Sequence, residues 1–193
     1  MMAELDNTTS AQGLDARESL LNQDLLSDGL SAHDIEGEKF LTFRLKESRY
    51  GIDIKSIKEI IEYGGITHIP MTPDCIRGVI NLRGNVVPVV DLPVRLERTG
   101  GELSNRTCII IVEMEDKDDE GVTMDVGFVV DAVDEVVGIR EEDIESTPAF
   151  GAEIRTDFIK GMGKVNNKFV VLLDMATVLS VKELGDLVDA AMD

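Results

Sequence analysis

Two stretches of this chain occur twice, in the same order, and that duplication restricts its fold more than any other feature. Ile76 to Leu96, IRGVINLRGNVVPVVDLPVRL, aligns without a gap on Ile159 to Leu179, IKGMGKVNNKFVVLLDMATVL, at an offset of 83. Arg77 falls on Lys160, Gly78 on Gly161, Arg83-Gly84 on Asn166-Asn167, and Asp91 on Asp174. Tyr50 to Ile61, YGIDIKSIKEII, aligns on Val126 to Val137, VGFVVDAVDEVV, at an offset of 76, with Gly51 over Gly127, Ile57 over Val133 and Glu59 over Glu135. A repeated pair of blocks in fixed order is one module duplicated, so the sequence predicts two similar lobes. The offsets differ by 7, which places about seven extra residues in the second copy, near Phe150 to Arg155.

The repeat has a readable local form. Gly78 to Leu82 and Val86 to Asp91 are short apolar or β-branched runs, and Arg83-Gly84-Asn85 between them tolerates positive φ, which predicts a hairpin followed by a helical turn. Pro88 has no N–H and predicts an edge strand or a bulge. Upstream, Phe40 to Leu45 and Arg49 to Ile54 form a second hairpin around Lys46-Glu47-Ser48, with Tyr50, Ile52 and Ile54 on one face and Gly51 and Asp53 on the other. Lys55 to Tyr63 is ambiguous between a helical turn and a bent strand. Ile69-Pro70-Met71-Thr72-Pro73 predicts extended backbone, and Pro73 to Cys75 one helical turn. Glu97 to Arg106 is polar and predicts the connection between lobes. Thr107 to Met114 and Val122 to Val130 pair across the loop Glu115 to Gly121.

These boundaries give a flexible acidic tail over 1–37, a domain over 38–180 with lobes at about 39–98 and 106–180, and a short helix or tail over 181–193. Leu20, Leu21, Leu25, Leu26 and Leu30 give the tail at most a frayed amphipathic turn. With 4% aromatic residues and no Trp, the cores must be built from Val, Ile and Leu, which favours small barrels over a large enclosed pocket. Residues 1–38 hold 1 basic and 9 acidic side chains, 39–98 hold 10 and 7, and 99–193 hold 8 and 22, within a total of −19. A field of that sign opposes nucleic acid and anionic membranes, while the mildly basic first lobe could meet an acidic partner. No basic-plus-apolar leader and no run of 18 apolar residues is present, so a soluble, cytoplasmic protein without membrane insertion is expected.

Chemistry-bearing patterns are few. Cys75 and Cys108 stand 33 apart and read as free thiols, and His33 and His68 are isolated, so neither a zinc set nor a Ser/His/Asp arrangement assembles. Asp116, Asp118, Glu120 and Gly121 match the first half of a calcium loop, but Gly127 stands at its twelfth position. Gly161-Met162-Gly163 lies at a strand start and fails as a dinucleotide fingerprint. Glu141-Glu142-Asp143 reads as a solvated connector. No enzyme, cofactor or metal is expected, and a binding module is favoured.

The motifs FLTFRL, YGIDI, IKEII, IPMTP, IRGVINLRG, VVPVVDL, VGFVVDAVDEVV and FIKGMG, spread from Lys39 to Leu179, resemble the CheW family of chemotaxis coupling proteins. The resemblance implies a mostly β fold of two pseudo-symmetric five-stranded SH3-like barrels with short helices. It implies a non-enzymatic adaptor joining the cytoplasmic tip of chemoreceptors to the regulatory domain of a CheA-type histidine kinase. Carried over by motif, the receptor-facing residues are Ile57, Glu59, Arg83, Gly84 and Cys108, the last standing where Val is usual, around a groove between lobes. The kinase-facing residues are Arg77, Gly78 and Asn81. Glu59 and Arg83 could instead form only a surface ion pair, and Gly78 could serve hairpin geometry alone. A small-ligand-binding or enzymatic barrel is the alternative in another class.

Overall fold

The computed structural model describes residues 36–96, 99–116, 119–147, 156–180, 183–186 and 189. Its strands are β1 (Glu38–Leu45), β2 (Ser48–Asp53), β3 (Ile57–Glu62), β4 (Ile76–Leu82), β5 (Asn85–Asp91), β6 (Cys108–Glu115), β7 (Thr123–Val130), β8 (Ala132–Ile139), β9 (Ile144–Glu145), β10 (Ile159–Val165) and β11 (Lys168–Leu173). Short helices follow β5 at Leu92–Arg95 and β11 at Met175–Val178. The fold is mostly β and pseudo-symmetric, as predicted. One sheet has the order β8-β1-β2-β11-β10-β9 and the other β3-β6-β7-β5-β4. The sixth strand, β9, is two residues long; at the matching place in the other sheet a single bridge, Thr67 to Val79, takes its role.

Neither sheet follows the predicted lobe boundaries. β1 and β2, from the first half of the chain, join the strands of the second half, and β6 and β7 join β3, β4 and β5. The chain changes sheet at the 3₁₀ turn Ile54–Ser56 and again at Asp131, positions one repeat apart, so Glu97 to Arg106 connects strands within one sheet and not the two lobes. The repeat marks the duplicated unit but not the pairing, because the deciding contacts are non-local. β2 pairs in parallel with β11, Gly51 opposite Leu172, and β7 pairs in parallel with β5, Gly127 opposite Val89. The matched glycines sit where these strands meet: a Cβ at Gly51 would lie 3.0 Å from the Leu172 side chain and one at Gly127 2.7 Å from that of Ile109.

The apolar residues form three clusters. The largest lies between the sheets and takes Leu41, Phe43 and Leu45 from β1, Tyr50 and Ile52 from β2, Ile110 and Val112 from β6, and Val126 and Phe128 from β7. A second fills the concave side of the β3-to-β4 sheet with Ile80, Val87, Val89, Ile109, Ile111 and Val129, and a third fills the other sheet with Phe40, Ile139, Val170 and Leu172. Strands between the central cluster and an inner one are buried on both faces, which is why Ile109 to Val112 is continuously apolar instead of alternating.

Local expectations met the structure unevenly. Lys55 to Tyr63 resolves into both readings, a 3₁₀ turn leading into β3. Ile69 to Thr72 is a turn and not extended backbone: Met71 has φ 63°, and the Thr72 hydroxyl donates to the Ile69 carbonyl at 3.0 Å. Pro88 lies on β5, an internal strand, not on an edge. It is tolerated because the β7 ladder begins one residue later, at Val89, so that side of Pro88 carries no strand partner. Ser180 and Glu183 form a reciprocal capping box over residues 183–186, and Leu184 is buried in the central cluster. The tail to residue 35, the extra segment near Phe150 to Arg155 and part of the acidic loop, 117–118, lie outside the described residues.

Candidate functional site

The β4–β5 hairpin is held by its own side chains. Arg83 (φ 52°) and Gly84 (φ 88°) make a two-residue turn with both positions at positive φ, and Asn85 already belongs to β5. The Asn81 carboxamide oxygen accepts from the Gly84 N–H at 2.9 Å and fixes the turn. Gly78 has φ 142° at a register shift in the β4–β5 ladder, and a Cβ there would lie 2.1 Å from the Thr67 carbonyl oxygen. That close approach lets Thr67 and Val79 exchange backbone hydrogen bonds of 2.8 and 2.9 Å.

At the base of the hairpin, Arg77 donates through Nε at 2.8 Å and Nη2 at 2.7 Å to Oδ2 of Asp91, which is 2% exposed. The other carboxylate oxygen of Asp91 accepts from the Val94 N–H at 3.1 Å and caps the helix Leu92–Arg95. One buried carboxylate thus ties strand, helix and surface cation together.

At the tip, Arg83 reaches across to Glu59 with two hydrogen bonds, 2.9 and 3.1 Å, a planar fork against a carboxylate. Glu59 belongs to β3 and Arg83 to the β4 turn, the two ends of the sheet, between which no ladder runs among the described residues. Arg83 is largely exposed and Glu59 partly covered, so the pair is worth at most ~1 kcal/mol. Beside it Lys58 contacts both Glu113 and Asp125 at 2.8 Å. Hydrogen bonds to Asp125 and then Glu113 hold the Lys58 ammonium above its ordinary pKa.

The structure therefore brings Glu59, Arg83 and Gly84 together at one rim, and sets Arg77, Gly78 and Asn81 along the same hairpin. Ile57 departs from expectation: it is 0% exposed in the central cluster, so it cannot present apolar surface to a partner. The central cluster packs around Ile57 between the sheets. Cys108 opens β6 opposite Glu62 and packs toward the central cluster, on the other face of the sheet from Ile61 and Glu59. Cys75 and Cys108 are half-buried free thiols, and burial pushes both above their ordinary pKa. Asp91 was missed, although its recurrence as Asp174 at the end of each VVD or LLD run was a visible signal. The Lys58 network had no sequence signal, since its carboxylates lie on two other strands.

Among the described residues no cluster of His, Cys, Asp or Glu is arranged to hold a metal, and no helix is long and apolar enough to cross a membrane. Of two open cavities, one of about 510 Å³ is lined by Arg77 and Asp91 together with Tyr63, His68 and Asp74, and one of about 540 Å³ by Lys160 and Asp174 together with Asp53, Ser56 and Glu113 from both sheets. The family model for the CheW-like domain matches residues 39–183. The chain belongs to the CheW family. Chemotaxis protein CheW of Klebsiella aerogenes is 35% identical over 154 residues, covering 80% of this chain and 89% of that protein. The Bacillus subtilis protein of the same name is also 35% identical, over 144 residues, 74% of this chain and 87% of its own length. The crystal structure of the scaffolding protein TtCheW from Thermoanaerobacter tengcongensis superposes with a TM-score of 0.68 at 36% identity, over 78% of this chain and 93% of that one. This CheW-family chain is thus one of the chemotaxis scaffold proteins.

Proposed function

We propose that this protein is the non-enzymatic adaptor that couples chemoreceptors to a CheA-type histidine kinase, working in the cytoplasm at receptor arrays. Family membership over 39–183 carries the reading, and the rim geometry gives it a physical form. A forked Glu59–Arg83 pair at an exposed turn offers a partner helix two opposite charges in fixed orientation, with Gly84 leaving the approach unobstructed. Cys108, on the opposite face of the sheet from Glu59, and buried Ile57 contribute by supporting β6 and β3 from the central cluster. Arg77, Gly78 and Asn81 set the shape of the hairpin that the kinase regulatory domain meets; Gly78 and Asn81 act through backbone geometry and Arg77 through its ion pair with Asp91.

The test is autophosphorylation of a cognate kinase with labelled ATP and receptor-containing membranes, with and without this protein. A large rise that needs all three components is expected; no rise, with no binding of the kinase regulatory domain, would leave the family fold without the coupling role. Glu59→Lys and Arg83→Glu should each lower coupling while leaving the fold intact. Restoration of coupling by the double charge swap would argue that the mutual pairing matters; continued loss would argue that the partner reads the orientation of the two charges.

A further inference from the structure

The two sheets close their open seams by different means. In one, β8 and β10 approach without a ladder, and Ile139 fills the gap against Gly163, where a Cβ would lie 2.6 Å from the Ile139 side chain. The Ile139–Gly163 contact is apolar and indifferent to ions, and the nearby ion pair of Lys160 on β10 with Glu38 on β1 joins β10 to β1 and not to β8. In the other, β3 and β4 are the unpaired ends, and what crosses between them at the tip is the Glu59–Arg83 pair. Next to it along β3 and β4 are Ile61 and Leu82, and toward the Gly78 end are Tyr63 and Ile66, all half-buried and packed on the inner cluster of Ile80, Val87, Val89, Ile109, Ile111 and Val129. At the far end of the seam the Thr67–Val79 bridge and the Gly78 contact keep it shut through the backbone.

We propose that Glu59–Arg83 is a charge-operated latch: when the pair is broken, the β3–β4 seam opens at its tip and uncovers Ile61 and Leu82. An exposed ion pair weakens with salt, whereas the apolar Ile139–Gly163 contact that fills the other seam does not. Any molecule that offers Arg83 a carboxylate, or Glu59 a cation, therefore releases apolar surface at the place where it binds. If the partner is a receptor helix, which rests on the adaptor reading above, binding trades one ion pair for another and gains apolar contact.

The experiment uses the isolated full chain, so its outcome does not depend on the adaptor reading. Methyl groups of Ile, Leu and Val are isotopically labelled, and solvent access is read by NMR from relaxation caused by a neutral gadolinium chelate. Between low salt and 1 M NaCl, relaxation at Ile61 and Leu82 should rise about two- to fivefold, the factor expected for losing an exposed ion pair. Ile139 and Val165, at the other seam, should stay unchanged. Glu59→Gln with Arg83→Gln should show the high value at low salt and no further salt response, while Leu41 and Val112 report that the core remains folded. Salt-independent relaxation at Ile61 and Leu82 in the unaltered chain would overturn the latch, as would an equal rise at both seams.

Discussion

The two hairpins β4–β5 and β10–β11 descend from one block of sequence, yet they spend their charges differently. In the first, Arg77 turns inward to buried Asp91 and Arg83 outward to Glu59. In the second, Lys160 stands at the Arg77 position but binds Glu38 at 2.8 Å and lies 5.4 Å over the Phe40 ring, while Asp174 keeps only its capping role toward Ala176. Asn166 and Asn167 replace Arg83 and Gly84 at the same positive φ, without a charge to reach across. The Glu59 equivalent, Glu135, pairs with Arg49 of β2 instead. Duplication supplied the same backbone twice; substitution of a few side chains gave one hairpin a forked ion pair at its tip and left the other without one.

Substitutions at matched positions test that contrast. The largest effect is expected at the bulge glycines. Gly78→Ala forces a Cβ against a carbonyl at φ 142° and should cost about 2–4 kcal/mol in urea unfolding. Gly161→Ala meets chiefly the Ile144 side chain, which can yield, and should cost less than about 2 kcal/mol. Equal losses would mean that the bulges are equivalent after all.

Next come the two aspartates. Asp91→Ala removes both a cap and the partner of a half-exposed arginine and should cost about 2–3 kcal/mol. Asp174→Ala removes a cap alone, about 1 kcal/mol. Thermal melts of the two variants decide whether Arg77 accounts for the difference; Arg77→Ala should bring them closer.

A double-mutant cycle on Glu59 and Arg83 should give a coupling of about 0.5–1 kcal/mol that fades in 1 M salt. A coupling that salt leaves intact would point to a buried pair and not a rim. The smallest effect is at Glu38, where the hydrogen bond and charge of Lys160 hold the carboxyl below its ordinary 4.5. Because the folded value is depressed, the pair's contribution is complete above 4.5 and is lost as pH falls through the lowered value. An NMR titration should show that value return to the ordinary one in Lys160→Ala; no movement would remove Lys160 as its cause.

Much of this was legible in the chain. The turns at Arg83-Gly84 and Lys46-Glu47, the duplication, and the Gly51–Gly127 match each depend on residues close in sequence or one repeat apart. The rim residues Glu59, Arg83 and Gly84 were reached through motif resemblance, and their side-chain contact is a matter of distance alone. Ile57, also carried over by motif, lies 0% exposed because the register shift between Ile57 and Glu59 turns it inward, which a motif does not reveal. Pro88 predicts an edge strand or a bulge, yet it stands in an internal strand where the neighbouring ladder begins one residue later, a limit set by tertiary pairing that a missing N–H does not reveal.

The sequence by itself determined the local grammar: which residues turn, which cap, where a glycine must stand, and that one module was used twice. These are short-range preferences of backbone and side chain. Tertiary structure decided which strands share a sheet, that the lobes interleave across the halves of the chain, and that Arg77 faces a buried carboxylate while Lys160 does not. Those outcomes depend on burying a central cluster drawn from both halves at once, and on which charges the resulting registers bring within hydrogen-bond reach.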